Sequence, residues 1–377
     1  MELISILRLL GLAAAIALVL LGWTWARQRG ATPALRLAAL TALTLFLTFD
    51  LIAFGAFTRL TDSGLGCPDW PGCYGHASPV GATSDIHAAQ TAQPTGPVTF
   101  HKAWIEMIHR YLAMTVGALI IALTVAGWRW RRHCPQSPLW PAATLLWVIV
   151  QGLFGMYTVT LKLNPAIVTL HLLGGMILLA LLVVQHQTLA GHRLHWPRAA
   201  VLGVGAVLAL LVLQIALGAW VSSNYAVLAC TDFPTCNGRW WPPMDFDHGF
   251  TLWRELGRAR DGGFLPFEAL VAIHVTHRVF AVVAGLALFG LAAWLRRRGG
   301  APRAALAVAL LTLLQILTGL SNVVLGWPLV AALLHTGGAA ALVGVLVALL
   351  TRALRGGGRQ EAALPRFEAR AGRSAVS

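Results

Sequence analysis

The chain has 377 residues, of which 57% are hydrophobic and only 11% are charged. A soluble domain carries about 25% charged residues, so this composition excludes an ordinary soluble protein. The net charge is +14, but the arginines cluster in short loops between apolar segments, as the positive-inside rule expects. This distribution argues against nucleic acid as a partner and for a protein embedded in a membrane.

Apolar segments long enough to cross a bilayer follow one another along the whole chain. Their predicted limits are 3–24, 35–58, 103–127, 139–160, 166–190, 199–222, 268–295, 303–326 and 329–351. The first is too long for the apolar region of a cleaved signal, so it is expected to remain as an extra span. The predicted fold class is therefore an all-α polytopic membrane protein.

The loops between these spans alternate in charge. Short arginine-rich loops lie on one side, together with the tail. Two long loops of mixed charge, 59–102 and 223–267, lie on the other side with two very short links. Basic loops mark the cytoplasmic side of a bacterial inner membrane. The N-terminus and both long loops are thus predicted to be periplasmic, and the C-terminus cytoplasmic.

A tandem repeat covers most of the chain. Gly55 opens a Gly-Ala-aromatic motif 12 residues before Cys67, and Gly218 opens the same motif 12 residues before Cys230. Four spans in each half return the chain to the same side, so two parallel four-helix bundles are predicted. The division is an extra helix with its loop, a first half, a second half and a disordered cytoplasmic tail, over 1–34, 35–190, 191–351 and 352–377.

Histidines lie inside the predicted spans at equivalent places in the two halves. They are His109 and His171 in the first half and His277 and His335 in the second. Paired imidazoles on facing helices of a bundle commonly hold haem, so one bis-histidine haem site is predicted in each half. The alternatives are interhelical hydrogen bonds and zinc, which would need further ligands that the repeat does not supply. Gly174-Gly175 and Gly337-Gly338 are expected to let a flat macrocycle approach the backbone.

Glu106 distinguishes the two halves. It precedes His109 by three residues and shares its helix face, whereas His274 takes the matching place in the second half. A buried carboxylate beside an iron-bound substrate can act as a general acid or base. The alternative is a salt bridge from Glu106 to Lys102 or Arg110. The first interpretation makes the first half the reaction site and the second half an electron-holding site.

An arginine directly follows a histidine in each half. Haem propionates are natural partners for such buried guanidinium groups. Arg110 is therefore predicted to serve the haem of the reaction site, and Arg278 the haem of the electron-holding site. Pairing with Glu106 or another buried acid is the alternative.

Each long loop carries a Cys-x5-Cys pair. The periplasm is oxidising, and this spacing suits a small disulfide loop, worth roughly 2 kcal/mol of stability, better than zinc. Cys230 and Cys236 are interpreted as a structural staple. A redox role is favoured for Cys67 and Cys73, because they lie in the half with Glu106.

Several segments resemble the bacterial haem A synthase family. They are 55–73, 106–110, 277–278 and the histidine-glycine segments 171–175 and 335–338, in that order. The resemblance covers about residues 35–351. The extra first span departs from the usual eight-helix plan of the family.

The resemblance implies that a ring methyl group of haem O is oxidised to the formyl group of haem A for terminal oxidase biogenesis. Successive hydroxylations would achieve this, the second giving a hydrate that loses water. It also implies that His109 and His171 receive haem O, and that His277 and His335 hold a resident haem b. Glu106 matches a carboxylate that the family requires, and the first cysteine pair matches a pair with a redox role.

The expected partners are a haem O synthase, which is a farnesyltransferase, an unidentified electron-transfer partner and membrane lipid; a homo-oligomer is left open. Two other functions compete with the enzyme. One is a diheme b-type membrane electron-transfer protein, and the other is a haem carrier without chemistry. Glu106 and the inequality of the halves favour the enzyme.

Overall fold

The computed structural model of the chain describes residues 2–357. Over this range the secondary structure is helical, without a β-strand. The helices are α1 (Glu2–Arg27), α2 (Pro33–Leu60), α3 (Thr83–Ala92), α4 (Phe100–Arg129), α5 (Leu139–Thr160), α6 (Pro165–Ala190), α7 (Arg198–Ser223), α8 (Phe246–Gly249), α9 (Phe267–Arg297), α10 (Pro302–Val324) and α11 (Leu329–Gly356). Within the described range, nine helices are long and apolar enough to cross a membrane. The protein is therefore an all-α polytopic membrane protein, as predicted.

Each predicted span coincides with one long helix. The largest difference is at the end of α11, which continues to Gly356. Residues 352–356 of the predicted tail are therefore helical, and residues 358–377 lie outside the described part of the chain. The short helices α3 and α8 were not predicted, because they lie in polar loops without an apolar run.

Capping side chains fix the start of the two histidine helices of the first half. The hydroxyl of Thr99 accepts the backbone N–H of Lys102 at 3.2 Å, just before α4 begins. The side-chain oxygen of Asn164 accepts the N–H of Ala166 at 3.1 Å at the start of α6. Gly191, in the left-handed conformation with φ of 77°, ends α6. Such caps satisfy backbone groups that a helix end leaves unpaired.

Each half is a ring of four helices. α2 packs against α4 and α6, and α5 packs against the same two helices. In the second half, α7 packs against α9 and α11, and α10 packs against the same two. α4 and α6 therefore stand diagonally across the first ring, as α9 and α11 do across the second. These diagonal pairs are the helices that carry the four histidines.

The two halves meet along α6 and α11. α6 also contacts α7, and α11 also contacts α2. Side chains from both halves share one apolar core along this seam, including Leu179, Val183, Leu342 and Leu346. Burial of these side chains removes apolar surface from contact with lipid and packs the halves into one body.

Polar bonds join the halves at the end that carries both cysteine loops, here called the disulfide side. The Arg59 guanidinium donates to the carbonyl oxygen of Ser222 at 2.5 Å. The Tyr225 hydroxyl donates to the Asp62 carboxylate at 2.7 Å. Both pairs join positions 163 residues apart, which is also the repeat offset from Gly55 to Gly218. Bonds between equivalent positions are consistent with parallel repeats around an axis along the membrane normal.

α1 lies outside both rings, against α2 and α4. Leu9 is only 2% exposed and packs into the apolar cluster around Cys67 and Cys73. The Ser5 hydroxyl donates to the carbonyl oxygen of Gly75 at 2.7 Å. The extra helix thus supports the first half and its cysteine loop.

Candidate functional site

Each of the four histidines packs against a glycine of a neighbouring helix in its own ring. A β-carbon built on the glycine would lie 2.9 to 3.4 Å from Cε1 of the imidazole. The pairs are Gly55 with His109, Gly155 with His171, Gly218 with His277 and Gly319 with His335. These glycines let the imidazole lie close to the neighbouring backbone. A β-carbon would displace the ring at Gly218, would be tight at Gly55 and Gly319, and would make an ordinary contact at Gly155.

The histidines of each ring form a pair. His109 and His171 are on the diagonal helices α4 and α6. His277 and His335 are on the diagonal helices α9 and α11. Each ring therefore presents two imidazoles from opposite sides of its interior.

The expected role of the glycine doublets is wrong for one member of each doublet. A β-carbon on Gly174 would lie 1.8 Å from the side-chain nitrogen of Gln151, and one on Gly338 would lie 2.3 Å from that of Gln315. These two glycines make room for a glutamine of the adjacent helix rather than for a macrocycle. The expectation failed because helical spacing does not reveal which neighbour fills the gap.

Both cysteine pairs form disulfides. The Cα atoms are 4.9 Å apart in Cys67–Cys73 and 4.7 Å apart in Cys230–Cys236. In each loop the second cysteine pairs, backbone to backbone, with the residue three positions later. The two loops are thus built alike.

The sequence analysis missed the aspartate that organises each disulfide loop. The Asp69 carboxylate accepts the N–H groups of Tyr74 and Gly75 at 2.6 and 2.7 Å. Asp232 accepts the corresponding groups of Asn237 and Gly238. A side-chain hydrogen bond from Thr235 is the main reason why the pKa of the Asp232 carboxyl lies below its ordinary value. The Cys-x-Asp spacing common to both loops could have revealed this role.

Arg110 and Arg278 both hold a disulfide loop. One guanidinium nitrogen of Arg110 donates to the carbonyl oxygens of Asp69, at 2.9 Å, and Gly72. The equivalent nitrogen of Arg278 donates to the carbonyl oxygens of Asp232 and Thr235, both at 3.0 Å. This function was not anticipated from the sequence, because it depends on where the loop folds back.

Glu106 forms a salt bridge with the other terminal nitrogen of Arg110. Its Oε1 lies 2.5 Å from the second terminal nitrogen of Arg110, and its Oε2 accepts the backbone N–H of Cys67 at 2.8 Å. Glu106 is 4% exposed. Of the two salt bridges considered, the one with Arg110 is formed, whereas Lys102 pairs with Asp62 at 3.0 Å. Arg110 is therefore placed to position Glu106 and the disulfide loop, which is the pairing considered as the alternative to a propionate.

The second half lacks this carboxylate. His274, in the place of Glu106, contacts the carbonyl oxygen of Ala226 through Nδ1 at 2.8 Å. Nε and the second terminal nitrogen of Arg278 are buried and have no hydrogen-bond partner within residues 2–357. Buried cationic donors are normally paired, so these two groups are available to an anion.

The residues present fit haem in both rings. Imidazoles approach from opposite sides, and the glycines hold each ring against the neighbouring helix. The unpaired donors of Arg278 suit a propionate in the second ring. A charge-neutral Glu106–Arg110 pair occupies the same place in the first ring.

Comparison with known proteins identifies the family. The model of the COX15-CtaA family, described as cytochrome oxidase assembly protein, matches residues 38–347. The chain belongs to the COX15-CtaA family. All helices from α4 to α10 lie inside the matched range, and α1 lies outside it.

Several proteins similar to this COX15-CtaA family member are named heme A synthase. One from Shewanella oneidensis is 38% identical over 84% of this chain and 96% of its own length. One from Halalkalibacterium halodurans is 28% identical over 74% of this chain and 85% of its own length. One from Caulobacter vibrioides is 29% identical over 82% of this chain and 93% of its own length.

Proposed function

We propose that this protein is a haem A synthase, an oxidoreductase that converts a methyl group of haem O to the formyl group of haem A by successive hydroxylations. The observation that carries the proposal is the pair of facing imidazoles in each ring of a COX15-CtaA family member. Relatives named heme A synthase support the choice of reaction.

The two rings are proposed to bind different haems. His109 and His171 would hold the substrate, haem O, in the first ring. His277 and His335 would hold haem b in the second, with the free donors of Arg278 on a propionate. When bound, haem b supplies a one-electron redox group whose potential the surrounding protein tunes.

Glu106 is proposed to transfer a proton at the substrate site. Its pairing with Arg110 supplies the counter-charge that a buried carboxylate needs. Its bond from the N–H of Cys67 links it to the disulfide loop, so a change in that loop would move the carboxylate. A redox role of Cys67 and Cys73 would act through this link.

The proposed location is a bacterial inner membrane, with the disulfide side facing the periplasm. The basic loops at the opposite end support this orientation. The proposed partners are a haem O synthase, which supplies the substrate, and an electron-transfer protein or carrier. Lipid surrounds the outer faces of both rings.

The test is pigment extraction from cells that express the protein with a haem O synthase. We expect haem O to be converted to haem A, and Glu106→Gln to keep its haem content but lose conversion. Protein that carries haem but converts none would favour the electron-transfer alternative and contradict the enzyme. Retained conversion by Glu106→Gln would contradict the proton-transfer role alone.

A further inference from the structure

The second ring supports its histidines with hydrogen bonds from neighbouring helices. The Thr318 hydroxyl lies 3.0 Å from Nδ1 of His335, 2.6 Å from the carbonyl oxygen of Leu314 and 3.3 Å from that of Gln315. With its one proton directed to Leu314, the shortest of these contacts, the hydroxyl oxygen accepts a hydrogen bond from Nδ1–H of His335. This arrangement leaves Nε2 of His335 with a free lone pair for a metal.

His277 has a similar neighbour. The side-chain amide nitrogen of Gln214, on α7, lies 3.1 Å from Nδ1 and 3.5 Å from Nε2 of His277, and donates to the backbone carbonyl oxygen of His277 at 3.3 Å. The amide oxygen of Gln214 is buried and has no hydrogen-bond partner within residues 2–357. Rotation about one bond exchanges the oxygen and the nitrogen of the amide. The oxygen then accepts the proton of Nδ1, in place of the bond to the carbonyl, and leaves Nε2 of His277 for a metal.

The first ring lacks both supports. Nδ1 of His109 and Nδ1 of His171 are buried, and neither finds a hydrogen-bond partner in the described part of the chain. Thr318 directly precedes the packing glycine Gly319, and Gln214 lies four residues before the packing glycine Gly218. The equivalent positions of the first ring, relative to Gly155 and Gly55, hold Phe154 and Leu51, which have no side-chain acceptor.

The ring of His109 is held in another way. It stacks on Phe54, with ring centroids 6.4 Å apart and an angle of 8° between the planes. Stacking restrains the plane of the imidazole but accepts no proton from Nδ1. The ring therefore gains none of the basicity that a hydrogen bond to Nδ1 confers on a ligand.

We propose that Thr318 and Gln214 are positioning residues that make the second ring a site of permanent haem retention, whereas Leu51 and Phe154 make the first ring a site of exchange. This deepens the proposed function and rests on it. Partners of the second imidazole nitrogen fix its tautomer and orientation, and their loss typically lowers metal affinity by about 10–100-fold. A resident redox group requires slow loss, while a substrate that leaves as product requires fast release.

The test measures haem loss from purified protein to an excess of apomyoglobin, which captures released haem. The wild type is expected to lose haem in two phases, one fast and one slow. Thr318→Val removes the hydroxyl at nearly constant shape and should speed the slow phase by about 10–100-fold. Thr318→Ser keeps the hydroxyl and should restore the wild-type rate.

Thr312→Val is the matched control. Thr312 is also buried on α10, and its hydroxyl also donates to the carbonyl oxygen four residues earlier, but it makes no hydrogen bond to a histidine within residues 2–357. We expect its slow phase to match that of the wild type. An unchanged slow phase in Thr318→Val, or equal acceleration in Thr312→Val, would overturn the proposal.

The converse variant tests the first ring. Leu51→Gln places an amide where Gln214 stands in the second ring, and should slow the fast phase about tenfold or more. A fast phase unchanged by Leu51→Gln would contradict the role of this position. Wild-type protein that binds no haem would instead overturn the proposed function itself, so the two failures are distinguishable.

Discussion

The surroundings of two otherwise equivalent arginines differ by a single charged residue. Arg110 and Arg278 both hold a disulfide loop through one guanidinium nitrogen, but only Arg110 meets a carboxylate, that of Glu106. The Glu106–Arg110 pair is buried. Removing one partner of such a pair leaves an uncompensated charge, which costs far more than removing both partners.

Glu106→Gln is therefore expected to lower the free energy of unfolding by about 3–5 kcal/mol, because Arg110 loses its counter-charge. The double variant Glu106→Gln with Arg110→Gln also removes the bonds from Arg110 to the disulfide loop, but it should cost less than the sum of the two single variants. Unfolding of purified protein in detergent, followed by circular dichroism during denaturant titration, measures both. A double variant as unstable as the sum of the two single variants would show that the pair is not coupled.

At the scale of helices, α1 is placed as a support for the disulfide loop. It contacts α2 and α4 from outside the first ring, and its Ser5 bonds to the loop. Along α1, Leu9 is 2% exposed, whereas its neighbour Leu10 is 54% exposed and turned away from the protein. The stability that α1 provides should thus come from one face of the helix.

Leu9→Ala is expected to destabilise the protein by about 2–3 kcal/mol, since it opens a cavity in a packed cluster. Leu10→Ala is the matched control, with an expected change within about 0.5 kcal/mol. Thermal unfolding in detergent gives the comparison. Equal effects of the two substitutions would contradict the placement of α1 against the disulfide loop.

At the scale of the whole molecule, a polar bridge on the disulfide side ties the two halves together. Asp62 accepts hydrogen bonds from Tyr225 at 2.7 Å and from Lys102 at 3.0 Å, and the Arg59 guanidinium lies over the ring of Tyr225. Burial tends to raise the pKa of the Asp62 carboxyl, but the two hydrogen bonds together with the positive charges of Lys102 and Arg59 hold that pKa below its ordinary value.

A lowered pKa means that ionised Asp62 stabilises the folded protein above the ordinary carboxyl pKa of about 3.9. This contribution is lost as the pH falls through the lower pKa of the folded state. Asp62→Asn should cost about 0.5–1 kcal/mol at neutral pH, a small value because the side chain is partly exposed. Its difference from the wild type should shrink as the pH falls below about 4.

Tyr225→Phe serves as the partner variant, since it removes the hydroxyl and keeps the ring over Arg59. Its effect should be smaller in the Asp62→Asn background, because the amide oxygen of asparagine accepts the same hydrogen bond without a charge. Thermal unfolding at several pH values measures both substitutions. A difference between Asp62→Asn and the wild type that stays constant down to acidic pH would contradict the bridge.

The sequence by itself determined the spans, the repeat and the equivalent histidines. Apolar runs are local, and lipid forces every backbone polar group in a span to be satisfied within a helix, so the limits of α5 could be read directly. The repeat made the histidines and cysteines equivalent without knowledge of their contacts. Because the repeat aligns their positions, the difference between Glu106 in the first half and His274 in the second was also visible in the sequence.

Only the tertiary structure decided which partner each polar side chain takes. Glu106 could reach Lys102 or Arg110 within its own helix, and the fold of the disulfide loop selected Arg110. The sequence does not reveal which residue packs against Gly174, and the packing of α5 on α6 brings Gln151 there. These partners come from segments far apart in the chain. Their contacts depend on how helices are packed, which hydrophobic periodicity does not encode.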